Sequence, residues 1–160
     1  MLTRKAKLLL SLTAVATPLF FTACSDNPFN PINDASGTYQ LTVYAGRSIP
    51  ATYTIQPGDP NYNMPNGGTL QVTGGNLVLS SNGTFIETNN YVLTPTGQAA
   101  QNTNFSRSGT WTVSGTALSL FVPAQNGNPS SSITGTLDVD TVTYQEDNGA
   151  GGFDSFEYIR

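Results

Sequence analysis

Few side chains in this sequence are equipped for chemistry, and their types narrow that chemistry sharply. There is one cysteine, Cys24, and no histidine, which excludes a disulfide, a zinc site built on Cys and His, and any step needing an imidazole. The six basic residues are unevenly spread: Arg4, Lys5 and Lys7 open the chain, and only Arg47, Arg107 and Arg160 follow Cys24. With neither lysine nor histidine beyond that point, the bases that activate a Ser or Thr hydroxyl are missing, so no enzymatic activity is expected. Asp138 and Asp140 flank Val139, and paired carboxyls are what glycoside hydrolysis uses, but nothing nearby suggests a cleft, and the triplet reads as a hydrophilic turn. Glu146, Asp147 and Asp154 gather acids around flexible glycines. Calcium needs six or more converging oxygens and the EF-hand spacing is absent, so this segment reads as a hairpin loop, with no metal and no cofactor expected.

The basic start is followed by fourteen mostly apolar residues, Leu8 to Phe21, which is the layout of a secretory signal. That run is short for a bilayer crossing and contains Pro18. It ends Phe20-Phe21-Thr22-Ala23-Cys24-Ser25, which resembles the lipobox of bacterial lipoproteins, with Phe21 standing where the family prefers Leu. The resemblance implies cleavage before Cys24, a diacylglycerol on its thiol and acylation of the new amino terminus, a combination sufficient for stable anchoring. Ser25 after the cysteine points to the outer membrane, and the expected location is the cell envelope, facing the periplasm or the cell surface. Cleavage there removes 23 of the 160 residues and leaves three arginines against all ten carboxylates, a formal balance of −7. Such a surface repels phosphate backbones and anionic headgroups, so neither nucleic acid nor charge-driven lipid binding is expected.

Residues 24–35 carry Pro28 and Pro31 among Asn, Asp and Ser, and read as a flexible tether between the lipid and the folded part, residues 36–160. From there the hydrophobic period is two. Tyr39, Leu41 and Val43 share one face of a strand, and the pattern returns at Ala51-Tyr53-Ile55, Leu70-Val72, Leu77-Leu79, Tyr91-Leu93, Trp111-Val113, Leu118-Leu120-Val122, Ile133-Gly135-Leu137, Val142-Tyr144 and Phe156-Tyr158. Turn signals separate these runs: Pro57-Gly58, Asn66-Gly67, Gly74-Gly75, Asn82-Gly83, Asn126-Gly127 and Asn148-Gly149. Short strands joined by tight turns predict an all-β antiparallel meander, and one polar face per strand suits a barrel or a sandwich around a single core.

The order of these elements resembles the small lipocalin-like lipoproteins of bacteria: Gly37-Thr38-Tyr39-Gln40-Leu41 opening the first strand, Ala45 to Pro50 as the following turn, Gly75 to Phe85 as the central hairpin, Gly109-Thr110-Trp111 as the middle strand and Phe156 to Arg160 closing. The resemblance implies an antiparallel up-and-down β-barrel of about eight strands whose floor Gly37, Tyr39 and Arg160 close, with Tyr39 in place of the family's Trp and the arginine packed across an aromatic ring, either Tyr39 or Trp111. An eight-strand barrel either fills with its own side chains or holds one small ligand. Tyr39, Tyr53, Phe85, Trp111, Tyr144, Phe156 and Tyr158 therefore either line a pocket for a small apolar molecule or are simply core. Two expectations stand: a lipid-anchored barrel that binds such a ligand, or a filled barrel that meets another envelope component.

Overall fold

The computed structural model describes residues 35–160 except 60, 61, 63, 126 and 150. The signal segment, Cys24 and almost all of the tether thus lie outside the described residues. Ten strands follow one another: β1 Gly37–Tyr44, β2 Arg47–Ser48, β3 Ala51–Ile55, β4 Gly68–Leu79, β5 Thr84–Pro95, β6 Gln101–Ser114, β7 Ala117–Val122, β8 Ser131–Asp138, β9 Thr141–Asp147 and β10 Phe153–Ile159. From β4 to β10 each strand pairs antiparallel with the next, and β1 lies between β10 and β4, closing an eight-strand barrel. β2 and β3 are outside that ring, on β1 and β4 respectively.

The ring closes where Gly37 to Gln40 pair with Leu79 to Asn76, and β1 then passes to β10 through Gln40 to Tyr44. Above that seam β3 covers the upper half of β4, and the Tyr53 hydroxyl donates to the Tyr44 carbonyl, stitching β3 back onto β1. Closure matters because an open sheet of this length would leave unpaired edges.

Two local departures from the sequence reading have clear causes. Gly74-Gly75 is not a turn: Leu70-Val72 and Leu77-Leu79 belong to one strand, and the glycines sit at a register shift between Val72 and Gly74. Gly75 is there because a Cβ would fall 2.1 Å from Asn89 Oδ1, so the strand bends by a bulge where neighbours approach closely. Second, β6 starts ten residues before Trp111, in the polar run Gln101–Ser108. Hydrogen bonding to β5, from Leu93 opposite Gln101 to Thr84 opposite Thr110, holds that run extended without an apolar face.

The antiparallel register gives the barrel two different ends. At the lower end lie the start of β1, the end of β10, and the hairpins at Asn82-Gly83, Gly115-Thr116 and Val139-Asp140. Its inside is filled by Tyr39, Leu79, Phe85, Trp111, Leu118 and Val142, each at most 2% exposed. Burial of such side chains stabilises by about 1.5–3 kcal/mol each. Trp111 Nε1 donates to the Ser80 carbonyl at 3.0 Å and the Tyr39 hydroxyl to the Ala35 carbonyl at 2.7 Å, so their polar atoms are not stranded in the floor.

Candidate functional site

Alternation continues up the inside of each strand, and its chemistry changes on the way. On β5 the inward series is Phe85, Glu87, Asn89, Tyr91. On β6 it is Trp111, Gly109, Arg107, Phe105. On β9 it is Val142, Tyr144, Glu146, and on β10 Tyr158, Phe156, Asp154. An apolar floor thus gives way to a charged layer in the upper half.

Glu87 and Asn89 are 0% and 1% exposed, the only polar residues classed as fully buried among the described ones. Arg107 reaches over them from β6. Its Nε donates to Glu87 Oε2 at 2.8 Å, and its Nη2 to Glu146 Oε2 at 2.8 Å and to the Tyr144 hydroxyl at 3.1 Å. Asn89 Nδ2 donates to Glu87 Oε1 at 2.7 Å, and the Tyr158 hydroxyl donates to the same oxygen at 2.8 Å. Among the described residues no buried side-chain nitrogen or oxygen lacks a partner, which is the condition under which a buried charged network is tolerated. Burial works against the Arg107 charge, but the hydrogen bond to Glu146 and the negative charge of Glu87 outweigh it and push its pKa up. Burial pushes the Tyr144 and Tyr158 hydroxyls up, with the Glu87 charge adding to it.

This network also ties strands that are not neighbours. β6 pairs with β7 only over Thr110–Ser114, so above that point, among the described residues, it has β5 alone beside it. β8 likewise meets β9 only over Gly135–Asp138. Arg107 crosses from β6 to β9 where β7 and β8, still paired with each other, have left both.

Above the network the interior opens into a recess of about 250 Å3 lined by Tyr44, Tyr91, Phe105, Arg107, Glu146, Asp154 and neighbours. A second recess of about 210 Å3 adjoins it, sharing Tyr44 and Asp154 and bordered by Tyr53, Tyr62 and Asp59. Tyr44 stands between them, donating to Asp154 Oδ2 at 2.9 Å and meeting Tyr53, Tyr91 and Phe156 edge-on at 5.5, 6.3 and 5.1 Å.

The residues singled out from sequence therefore separate by height. Tyr39, Phe85 and Trp111 are in the packed floor, and Tyr144 and Tyr158 stack at 6.0 Å in the charged layer. Phe156 and the half-buried Tyr53 reach the open end. Glu87, Asn89, Arg107, Glu146 and Asp154 were not expected as interior residues, yet the signal for each is the same parity as an apolar residue two or four places along its strand; Tyr44 turns inward, in place of the expected Val43, because a register shift between Leu41 and Val43 reverses the alternation of β1.

At the lower end the Arg160 guanidinium lies 5.5 Å over the Tyr39 ring rather than on Trp111. It donates from Nη1 to the Ser36 carbonyl at 3.2 Å and from Nε and Nη2 to Asp140 Oδ1 at 3.0 and 2.8 Å. Gly37 makes room for it, since a Cβ there would be 2.9 Å from Arg160 Cδ. Among the described residues no three Cys, His, Asp or Glu side chains converge closely enough to hold a metal ion. No protein family model, no curated protein and no solved structure matches this chain.

Proposed function

We propose that this chain is a lipoprotein of the bacterial cell envelope, anchored to the outer membrane through acyl chains on Cys24, that carries a lipocalin-like barrel and binds a small molecule at the barrel's open end. The observation that carries the binding part is the contrast within one closed barrel between a floor filled by Tyr39, Phe85 and Trp111 and an upper end holding recesses of about 250 and 210 Å3. A ligand placed deep in the apolar interior, as the family likeness implied, would occupy space those rings already fill; the free space lies higher, between aromatic and charged side chains. The orientation suits a tether: the chain enters the barrel at Ala35, beside the Arg160 cap, so the open end faces away from the point of attachment.

A second reading is supported by a different observation. Ile86 and Phe121 stand 53% and 44% exposed on the outer wall, and a filled barrel meeting another envelope component through such a face needs no ligand.

The anchoring part is tested by expressing the full chain and its Cys24→Ser variant in a diderm bacterium. The wild type is expected to incorporate labelled fatty acid and to sediment with outer membranes, and the variant to do neither; equal sedimentation of both would reject it. Native mass spectrometry of protein released from those membranes tests the binding part. A small-molecule adduct that is lost on crowding the recess with Asp154→Trp, in a protein that still melts cooperatively, supports it, and a bare protein with partners crosslinked at Phe121 would favour the second reading.

A further inference from the structure

Resting on the reading that the open end is where this barrel binds, we infer that its ligand class is a small organic cation, an amine or quaternary ammonium group held against aromatic rings. Three features of the recess converge on this. The first is an excess of negative charge: Glu87, Glu146, Asp147 and Asp154 line it against one basic side chain, Arg107. That arginine is already engaged with Glu87, Glu146 and Tyr144, so it offers an incoming anion little, while the carboxylates leave a negative interior.

The second is the kind of wall. Tyr44, Tyr91, Phe105 and Phe156 line the same recess, and aromatic ring faces attract a desolvated cation. Arg107 already covers the Phe105 ring at 5.5 Å, a cation held against an aromatic face at the edge of this recess, and the tyrosines left to a ligand there are Tyr44 and Tyr91. The third is the spread of the acids. They stand on β5, β9 and β10 around the opening and do not converge, and among the described residues no metal-holding group forms. An extended, weakly hydrated cation can use separated carboxylates and rings at once, where a calcium ion requires its oxygens within about 2.3–2.6 Å.

Size limits the candidate further. A recess of about 250 Å3 has room for a trimethylammonium head with a short substituent. The field has the matching sign: Tyr44 is pushed up by burial and then by the Asp154 charge, and Tyr91 by burial and then by the Glu87 charge.

The test is calorimetric titration of the full chain, in non-ionic detergent, with benzyltrimethylammonium, benzyl alcohol and benzoate in parallel. Saturable binding of the cation at least about tenfold tighter than of the other two is expected. Asp154→Asn, which keeps an acceptor for Tyr44, and Tyr91→Leu should each weaken the cation about tenfold or more while leaving the melting curve cooperative. Benzyl alcohol or benzoate binding as well as the cation, with loss on Tyr91→Leu, overturns the cation class but leaves the open end as the binding site. No saturable binding of the cation up to about 10 mM overturns the inference, and the mass-spectrometric arm then decides the reading beneath it.

Discussion

Among single residues, Arg107 carries the most consequence. It is the partner that makes a fully buried Glu87 tolerable, and its side chain is 9% exposed against 0% for Glu87. Removing one member of such a pair leaves an uncompensated buried charge, at a cost of about 3–5 kcal/mol. Arg107→Met should therefore lower the unfolding free energy by that amount in urea titration. Arg107→Met combined with Glu87→Gln should recover a good part of it, because the stranded charge is gone; the two changes are expected to be strongly non-additive. A simple sum of the two single effects would mean that the pair is not coupled as its geometry indicates. The second arginine at an end, Arg160, sits in a different environment. It is about one-third exposed, so its ion pair with Asp140 adds little, and the stacking on Tyr39 supplies most of its effect. Arg160→Ala is expected to cost about 1 kcal/mol and a few degrees of melting temperature, and an unchanged melting curve would place that side chain in solvent.

At the scale of elements, the hairpins show where the sequence is locally at odds with its backbone. Val139, at the tip joining β8 to β9, has φ +44° and is 78% exposed. A β-branched residue in left-handed conformation costs about 1–2 kcal/mol, while glycine there costs about 0.5–1 kcal/mol in chain entropy. The difference favours glycine, so Val139→Gly should stabilise the protein by about 0.5 kcal/mol, read as a higher denaturation midpoint at unchanged slope. The flanking Asp138 and Asp140 are a turn, as their polarity implied, and Asp140 additionally receives Arg160. β4 gives the complementary lesson: Gly74-Gly75 carries every local mark of a turn, and only the close passage of Asn89 on β5 explains why the strand runs through it.

For the molecule as a whole, tyrosine ionisation sets the alkaline limit. All seven tyrosines are held above their ordinary value of 10.0, burial being the first cause for each. The folded state thus favours the protonated form. That contribution is complete below pH 10 and is lost as pH rises above it, because the unfolded chain ionises first. For Tyr44, Tyr144 and Tyr158, all at most 8% exposed and held far above that value, each loses about 1.4 kcal/mol per pH unit over the first units above pH 10. Cooperative unfolding within about two units above pH 10 is expected, with tyrosinate absorbance appearing together with the loss of strand circular dichroism. Tyrosinate rising fully while the fold persists would show these hydroxyls to be solvated.

Period-two patterning settled the class of this fold from sequence, because alternate side chains of a strand must choose opposite faces: Tyr39-Leu41, Trp111-Val113 and Phe156-Tyr158 needed only that rule. Ten apolar runs and the turns between them suit a sandwich as well as a barrel; that eight strands close into one ring was implied only by the lipocalin-like resemblance, and it is the pairing of β1 with β4 that closes it. The interior chemistry did not follow. Glu87, Asn89, Arg107 and Glu146 look like surface residues in any local window, since polarity alone assigns them outward. What turns them inward is registry with Phe85, Trp111 and Tyr144 on the same strands; Arg107 faces Glu87 directly across the β5–β6 hairpin, and β9, distant in sequence, brings Glu146 to the other side of the guanidinium. That second contact exists only once the barrel closes, so the completed charged layer, and the open end above it, are products of tertiary structure.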